Sequence, residues 1–360
     1  MTVRDLNRAL LARQLLLARH PLSLAQAIAR LGGLQAQQPR PPFVGLWSRL
    51  EPFERDALTR LLHERKVVRA TAMRGTLHLL TAEDYLGHRA ALQPGLTRGM
   101  EAILRERTAG LDLPAVLRVA RAFLAAQPRT FTALRAHLLQ EFPAGDERAM
   151  GYAVRTHLPL VVCPEERDWA FGADGEFALA DTWLGCPPTP SVAPHALVRR
   201  YLAAFGPATA ADFQTWSGLT GVAPVLAEMR PELAVFRDER RRELFDLPEA
   251  PRPSGEVPAP VRFIADFDNL ILGHADRSRI ITDEFRSRVV TKNLLVLPTF
   301  LVDGLVAGIW KITRQRALAK LLITPFSRLS SAHKSELSEE GRRLLAFVEP
   351  DAEKGRIEFA

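Results

Sequence analysis

The sequence predicts a mixed α+β fold: three tandem winged-helix units followed by a C-terminal β-barrel. Three observations lead there. Helix signals at the N-terminus give way to a strand–turn–strand pattern, the same succession recurs twice, and from about residue 261 the chain becomes strand-rich.

The first unit, residues 1–110, opens with a helix carrying Leu6, Leu10 and Leu17 on one side and Leu11 and Leu15 beside them. Ser23 and Gln26 then form a capping box, in which each side chain satisfies the other residue's backbone N–H. Leu24, Ala27, Ile28 and Leu31 follow at helical spacing, and Gly32-Gly33 stops the helix. Further helices are predicted at about 43–51 and 55–65. Val67–Met73 and Thr76–Leu80 read as two strands around Arg74-Gly75. Helices followed by a hairpin are the pattern of a winged helix, with one helix for a groove and one hairpin for the flanking backbone.

Residues 111–186 repeat the pattern, with helices at 113–126, 131–140 and 145–157 before strand-like LVVCPE and a hairpin in WAFGADGEFALA. A Pro-rich break at Pro187–Pro190 opens the third unit, residues 187–250. Its helices run from His195 to Phe205, from a Thr209 cap to Trp216, and over about 222–230. A hairpin in LAVFRDERRRELF follows, with Arg240, Arg241 and Arg242 near its tip. A second break, Pro248–Pro260, reads as a linker or a long surface loop. The last segment, 261–360, holds VRFIADFDNLILG, SRVVT, NLLVLPTFLVDGLVAGIWKI and Leu321–Phe326 as strands. It also has an Asp303-Gly304 turn, one helix at about 333–348 and RIEFA as a closing strand, hence a small barrel.

Composition narrows the function. Lys plus Arg total 48 against 41 acids, a net charge of +7, and Arg dominates. Arg is the better phosphate ligand, so the balance favours a nucleic-acid partner; an Arg-rich proteome is the plain alternative. No apolar run suggests a membrane span or a secretory signal, and two cysteines are too few for a disulfide framework or a thiolate zinc site. A cytoplasmic protein without metal or cofactor is expected. Metalloprotease, P-loop and serine-hydrolase signatures are absent from the sequence.

Chemistry concentrates in Leu34-Gln35-Ala36-Gln37-Gln38-Pro39-Arg40-Pro41-Pro42, directly after the Gly-Gly stop. Extended backbone places Gln35 and Gln37 on one side, and the prolines stiffen the exit. Two amides at a rigid turn can hold a water by accepting its hydrogens through their carbonyls, although neither is a general base. A solvated polar loop is the plain alternative. Asp266 and Asp268, with His274 and Asp276 close behind, fit a metal cluster less well than salt bridges to Arg262, Arg277 and Arg279. Arg40, Arg69 and Arg74 flank the glutamines and the first wing. With Arg240, Arg241, Arg242, His274, Arg277 and Arg279 they make up the candidate DNA contacts, each weighed against an ordinary solvated face. Phe43 and Trp47 read as core residues rather than the wall of a base pocket.

LNRALLARQLLLAR, LGGLQAQQPRPPFVGLWSRL, RGTLHLLTAEDY, YLAAFGPATAADFQTWSGL, FDNLILGHADRSRI and PTFLVDGLVAGIW resemble, in order, blocks of the AlkZ/YcaQ family over residues 5 to 310. The resemblance implies tandem winged helices and a barrel around a DNA channel. It also implies a monofunctional glycosylase that acts on N7-alkylguanine adducts in double-stranded DNA, with some members unhooking interstrand crosslinks. Gln35-Ala36-Gln37 resembles the Gln-x-Gln motif of the AlkZ-like branch, so Gln35 and Gln37 are the expected catalytic pair. A monomer with no obligate protein partner is expected. The alternative is a non-catalytic winged-helix DNA binder, either a regulator or a resistance protein that shields DNA.

Overall fold

The computed structural model describes residues 1–291, 293 and 295–360. Leu294, inside the strand-rich stretch expected after 293, lies outside the described residues. A Thr2–Asp5 capping box starts α1 (Val3–Arg13), which ends before Leu15, where the backbone turns left-handed at φ 57°. The Ser23–Gln26 box starts α2 (Leu24–Arg30) as expected. Gly32 and Gly33 follow with φ of 68° and 82° and deliver the chain to β1 (Leu34–Gln35). At φ 82° Gly33 takes a conformation that other residues rarely adopt, and a Cβ there would also crowd the Leu79 carbonyl oxygen at 3.1 Å.

The prolines that were read as a stiff exit start a helix. α3 (Arg40–Trp47) carries Pro at its first turn, where the missing N–H costs nothing. α4 (Arg55–His63), β2 (Val67–Thr71) and β3 (Leu77–Thr81) follow the expected order. The next element was not anticipated. α5 (Ala82–Leu104) runs for 23 residues through Gly87, Pro94, Gly95 and Gly99, with Thr81 capping its start. Such breakers hide a helix from a propensity reading, and tertiary packing overrides them. Tyr85, Leu92, Leu96 and Met100 are buried along it.

The second group comprises α6 (Leu113–Ala126), β4 (Arg129–Thr130), α7 (Phe131–Glu141), α8 (Glu147–His157), β5 (Leu160–Val162), β6 (Glu176–Leu179) and α9 (Ala180–Leu184). Its hairpin pairs β5 with β6 rather than folding within WAFGADGEFALA. The first two hairpins do not stand apart. β2 pairs with β5 antiparallel, giving one six-stranded sheet in the order β1-β3-β2-β5-β6-β4. The third group is α10 (His195–Phe205), α11 (Ala210–Ser217), α12 (Ala223–Met229) and the separate hairpin β7 (Ala234–Arg237) with β8 (Glu243–Asp246).

The C-terminal segment corrects the expectation of a barrel. β9 (Arg262–Ile264), α13 (Asn269–Leu272), α14 (Asp283–Val289), β10 (Thr299–Val302), β11 (Leu305–Gln315), β12 (Leu318–Pro325), α15 (Ser331–Val348) and β13 (Lys354–Phe359) follow in order; the strands form an open sheet, β13-β12-β11-β10-β9, with α13 and α14 inserted between β9 and β10. VRFIADFDNLILG splits into β9 and α13, and SRVVT belongs mostly to the end of α14. β13 adds parallel to β12 at an edge and meets no second strand among the described residues. Closure would need the face that α15 occupies. Leu337, Leu344, Leu345 and Val348 of that helix pack with Phe263, Phe300, Trp310, Leu321 and Ile323 of the sheet. The fold is therefore mixed α+β without a closed barrel.

Buried arginines of α1 tie distant segments together. Arg13 pairs with Asp246 at 2.6 Å with both side chains fully buried, and Arg8 pairs with Asp303. Arg4 Nε donates to the Gly255 carbonyl at 2.7 Å and Arg8 Nε to that of Val257 at 2.5 Å. Of the two readings of the Pro-rich stretch, linker or long loop, these bonds favour a loop strapped onto the first helix. The largest hydrophobic cluster runs from Leu10 through Tyr201, Phe205 and Trp216 to Val306, joining the first helix to the last sheet.

Candidate active site

The glutamine turn sits where β1 meets the first hairpin. Leu34 pairs with Leu79 and Gln35 with His78, and the Ala36 N–H donates to the Leu77 carbonyl at 2.7 Å. Arg69, on β2 at the far side of β3, clamps the turn. Its Nε donates to the Ala36 carbonyl at 2.8 Å and its Nη2 to that of Gln37 at 3.1 Å. Buried without a carboxylate, the Arg69 guanidinium is pushed down to about 10.

Arg74 is the second post. It occupies the 3-10 turn between β2 and β3 in a left-handed conformation, φ 58°, against Gly218. Its Nη1 donates to the Trp216 carbonyl at 2.6 Å, and its Nη2 to Gln35 Oε1 at 2.8 Å and Asn269 Oδ1 at 3.0 Å. Asn269 Nδ2 in turn donates to the Gly33 carbonyl at 3.2 Å. A guanidinium only donates, so it fixes the Gln35 amide with its oxygen toward Arg74 and its NH2 turned away. Burial, with Arg277 nearby, lowers Arg74 to about 10.

The two glutamines dock on the same hairpin but differ in exposure. Gln35 is 6% exposed, whereas Gln37 is open to solvent and its Oε1 accepts from the Leu77 N–H at 3.3 Å. Both side-chain oxygens therefore hold one protein donor, and each keeps a second lone pair for a water. Each amide NH2 is left to donate. Gln35 lines a cavity of about 10 Å³ together with Gln14, Pro41, Pro42, Asp266 and Asn269, room for about one water. Two larger clefts, about 580 and 630 Å³, lie under the third hairpin and beside α6, away from this turn.

The carboxylates near Gln35 do not pair as the sequence suggested. Asp268 accepts both Arg49 guanidinium nitrogens at 2.9 Å, and Asp276 pairs with Arg242 at 2.6 Å. Asp266 has no ion-pair partner among the described residues, and none of them form a metal-binding cluster. Burial pushes the Asp266 carboxyl up, while Arg40 opposes that shift. Phe267, between the two aspartates, is held at φ 57°, a strained conformation for an aromatic residue.

The expected DNA contacts divide in two. His274 and Arg279 are buried and turned inward, toward the carbonyls of Phe205 at 3.0 Å and Pro207 at 2.9 Å. Burial drives His274 down to about 3, so it is neutral. They are pins of the third unit, as Arg69 and Arg74 are of the first. On the third hairpin, Arg242 is held by Asp238 at 2.6 Å and by Asp276, and Arg240 lies 3.4 Å from Asp276. Arg241, at the tip, is exposed and makes no ion pair among the described residues. Arg40 and Arg277 are half-buried without a carboxylate partner, and Arg277 Nε has no hydrogen-bond acceptor among the described residues.

His78 is fully buried opposite Gln35, with Nδ1 3.1 Å from the Thr76 carbonyl, and burial lowers it to about 3. Phe43 and Trp47 are core residues; Trp47 stacks on Phe347 with centroids 5.8 Å apart. Asn269 is the site residue that sequence reasoning passed over. The only signal for it was its place inside the FDN stretch.

Comparison with known proteins gives three findings. Residues 28–347 match the family model described as "DNA glycosylase AlkZ-like". A curated relative from Streptomyces sahachiroi, "Interstrand DNA cross-link repair glycosylase", is 27% identical over 341 residues, covering 87% of this chain and 88% of that protein. The solved structure of "Streptomyces sahachiroi DNA glycosylase AlkZ" superposes over 100% of both chains with a TM-score of 0.80 at 22% identity, a likeness of fold.

Proposed function

The chain belongs to the AlkZ-like DNA glycosylase family, enzymes that hydrolyse N-glycosidic bonds in DNA, and from that premise we propose that it excises N7-alkylguanine from double-stranded DNA, with Gln35 and Gln37 placing the attacking water. The observation that carries this reading is the Gln35 amide, fixed by Arg74 beside a cavity the size of one water.

The chemistry suits neutral amides. Guanine alkylated at N7 is cationic and departs as a neutral base, so no strong general acid is needed. What remains is to hold water at C1′ and to stabilise an oxocarbenium-like sugar. The amide NH2 of Gln35 can hold the water through its oxygen, and the exposed Gln37 faces where DNA would lie. Arg40, Arg277 and Arg241, none of them in an ion pair among the described residues, are the cations best placed to take phosphates. We read the three helix-and-hairpin groups as winged helices lining a DNA channel, and the enzyme as a cytoplasmic monomer. The curated relative is named for interstrand crosslink repair, which makes a crosslinked duplex the second substrate to try.

The test is base release from a duplex carrying N7-methylguanine, read as strand breaks after alkali, with the Gln35→Ala/Gln37→Ala variant alongside. Release by the wild type alone supports the assignment. Release by neither, on this duplex and on a crosslinked one, favours a DNA-binding protein without catalysis.

A further inference from the structure

Fixing the Gln35 amide by Arg74 leaves a chemical gap. Its NH2 can hold a water by the oxygen, but donors cannot take that water's proton. The acceptor has to come from another residue on the same cavity. Amides take up no proton near neutral pH, which sets aside Gln14, Asn269 and the Gln35 carbonyl itself, and Asp268 is locked to Arg49. His78 is sealed in the core and lines no cavity described above. Asp266 remains: it lines the cavity, it lies two residues beyond the end of β9, and no guanidinium among the described residues pairs with it.

We infer that Asp266 is the catalytic carboxylate of this enzyme, the base that takes a proton from the water held by Gln35. The assignment rests on the glycosylase reading of the site. As the water oxygen bonds to C1′, the C1′–N9 bond breaks and its electron pair leaves with the guanine. One water proton passes to the Asp266 carboxylate and then to solvent. Before that transfer, the same negative charge faces the developing cation of the sugar and stabilises it.

The surroundings suit the task. Burial raises the Asp266 carboxyl above its ordinary range, which makes it a better base than a solvated aspartate. Arg40, at the start of α3, opposes this without reaching pairing distance. The other charges nearby are the Arg49–Asp268 pair, internally neutralised, and Arg74, committed to Gln35 and Asn269. The strained, left-handed Phe267 stands between Asp266 and Asp268, and only Asp268 is bound to Arg49.

The experiment measures single-turnover release of N7-methylguanine from duplex DNA between about pH 4.5 and 8 for wild type, Asp266→Asn and Gln35→Ala, with DNA affinity and thermal unfolding of each. The wild-type rate should fall as pH drops through the raised Asp266 pKa, because the base is then protonated. Asp266→Asn should lose about 10²-fold in rate, the usual scale of general-base catalysis, keep its DNA affinity and show no acid limb. A rate within threefold of wild type with the acid limb intact, while Gln35→Ala is inactive, overturns the role of Asp266 and leaves the glycosylase reading standing. If the amide variant does not fold, Asp266→Glu replaces it: an acid limb moved in pH supports the assignment, and an unmoved one overturns it. A wild type inactive on both methylated and crosslinked duplexes removes the glycosylase reading, and the role of Asp266 falls with it.

Discussion

At the scale of single residues, the site depends on one guanidinium. Arg74 orients Gln35, ties it to Asn269 and anchors the hairpin to the Trp216 carbonyl. Lysine cannot reproduce three directed donations from one planar group. Arg74→Lys is expected to slow base release tenfold or more, about 1.5–3 kcal/mol for a charged hydrogen bond, with DNA affinity nearly unchanged. Parallel turnover and binding assays check this. Buried histidines make a second prediction. His78 and His274 are both held down to about 3, so the unfolded chain binds protons that the folded one refuses. Their contribution to stability is complete above the ordinary histidine value of about 6.5 and drains away as pH falls toward 3. Urea unfolding across that window should show the decline, and His274→Asn should flatten it.

At the scale of elements, local signals were readable and long-range ones were not. The Ser23–Gln26 box, the Gly-Gly stop and the Arg74-Gly75 turn encode their own geometry within a few residues, and the glutamine turn was found because it lies among them. α5 was hidden by Pro94 and three glycines, since its stability comes from burial against α8 and the first hairpin. The barrel was an overreach: alternating strands specify a sheet, but only the packing of α15 decides whether it closes. The solitary state of Asp266 was equally invisible, because Arg49, which takes its neighbour Asp268, lies 219 residues away in sequence. The third hairpin shows how pairing trims a basic cluster. Arg242 is spent on Asp238 and Asp276, leaving Arg240 and Arg241 exposed. Replacing these two by Ala should weaken DNA binding and reduce the slope of log affinity against log salt by about 1 for each lost phosphate contact. An unchanged slope would make the tip an ordinary solvated turn.

At the scale of the whole molecule, the parts are held by buried charge as well as by the core. The Arg13–Asp246 pair joins the first helix to the third hairpin with neither side chain exposed, and Arg252 is a second partner of Asp246 at 2.7 Å. Asp246→Ala would strand Arg13 in the interior, at an expected cost of about 3–5 kcal/mol, read as a lower melting temperature. Such clamps keep the glutamine turn, Trp216 of the third group and Asn269 of the C-terminal segment in register, and all three meet at Arg74. The most direct measurement of the central claim is the single-turnover rate and the DNA dissociation constant of Gln35→Ala on the same N7-methylguanine duplex. A rate loss of about 10²-fold or more with affinity within twofold of wild type is the predicted result. Weakened binding with an unchanged rate would contradict it.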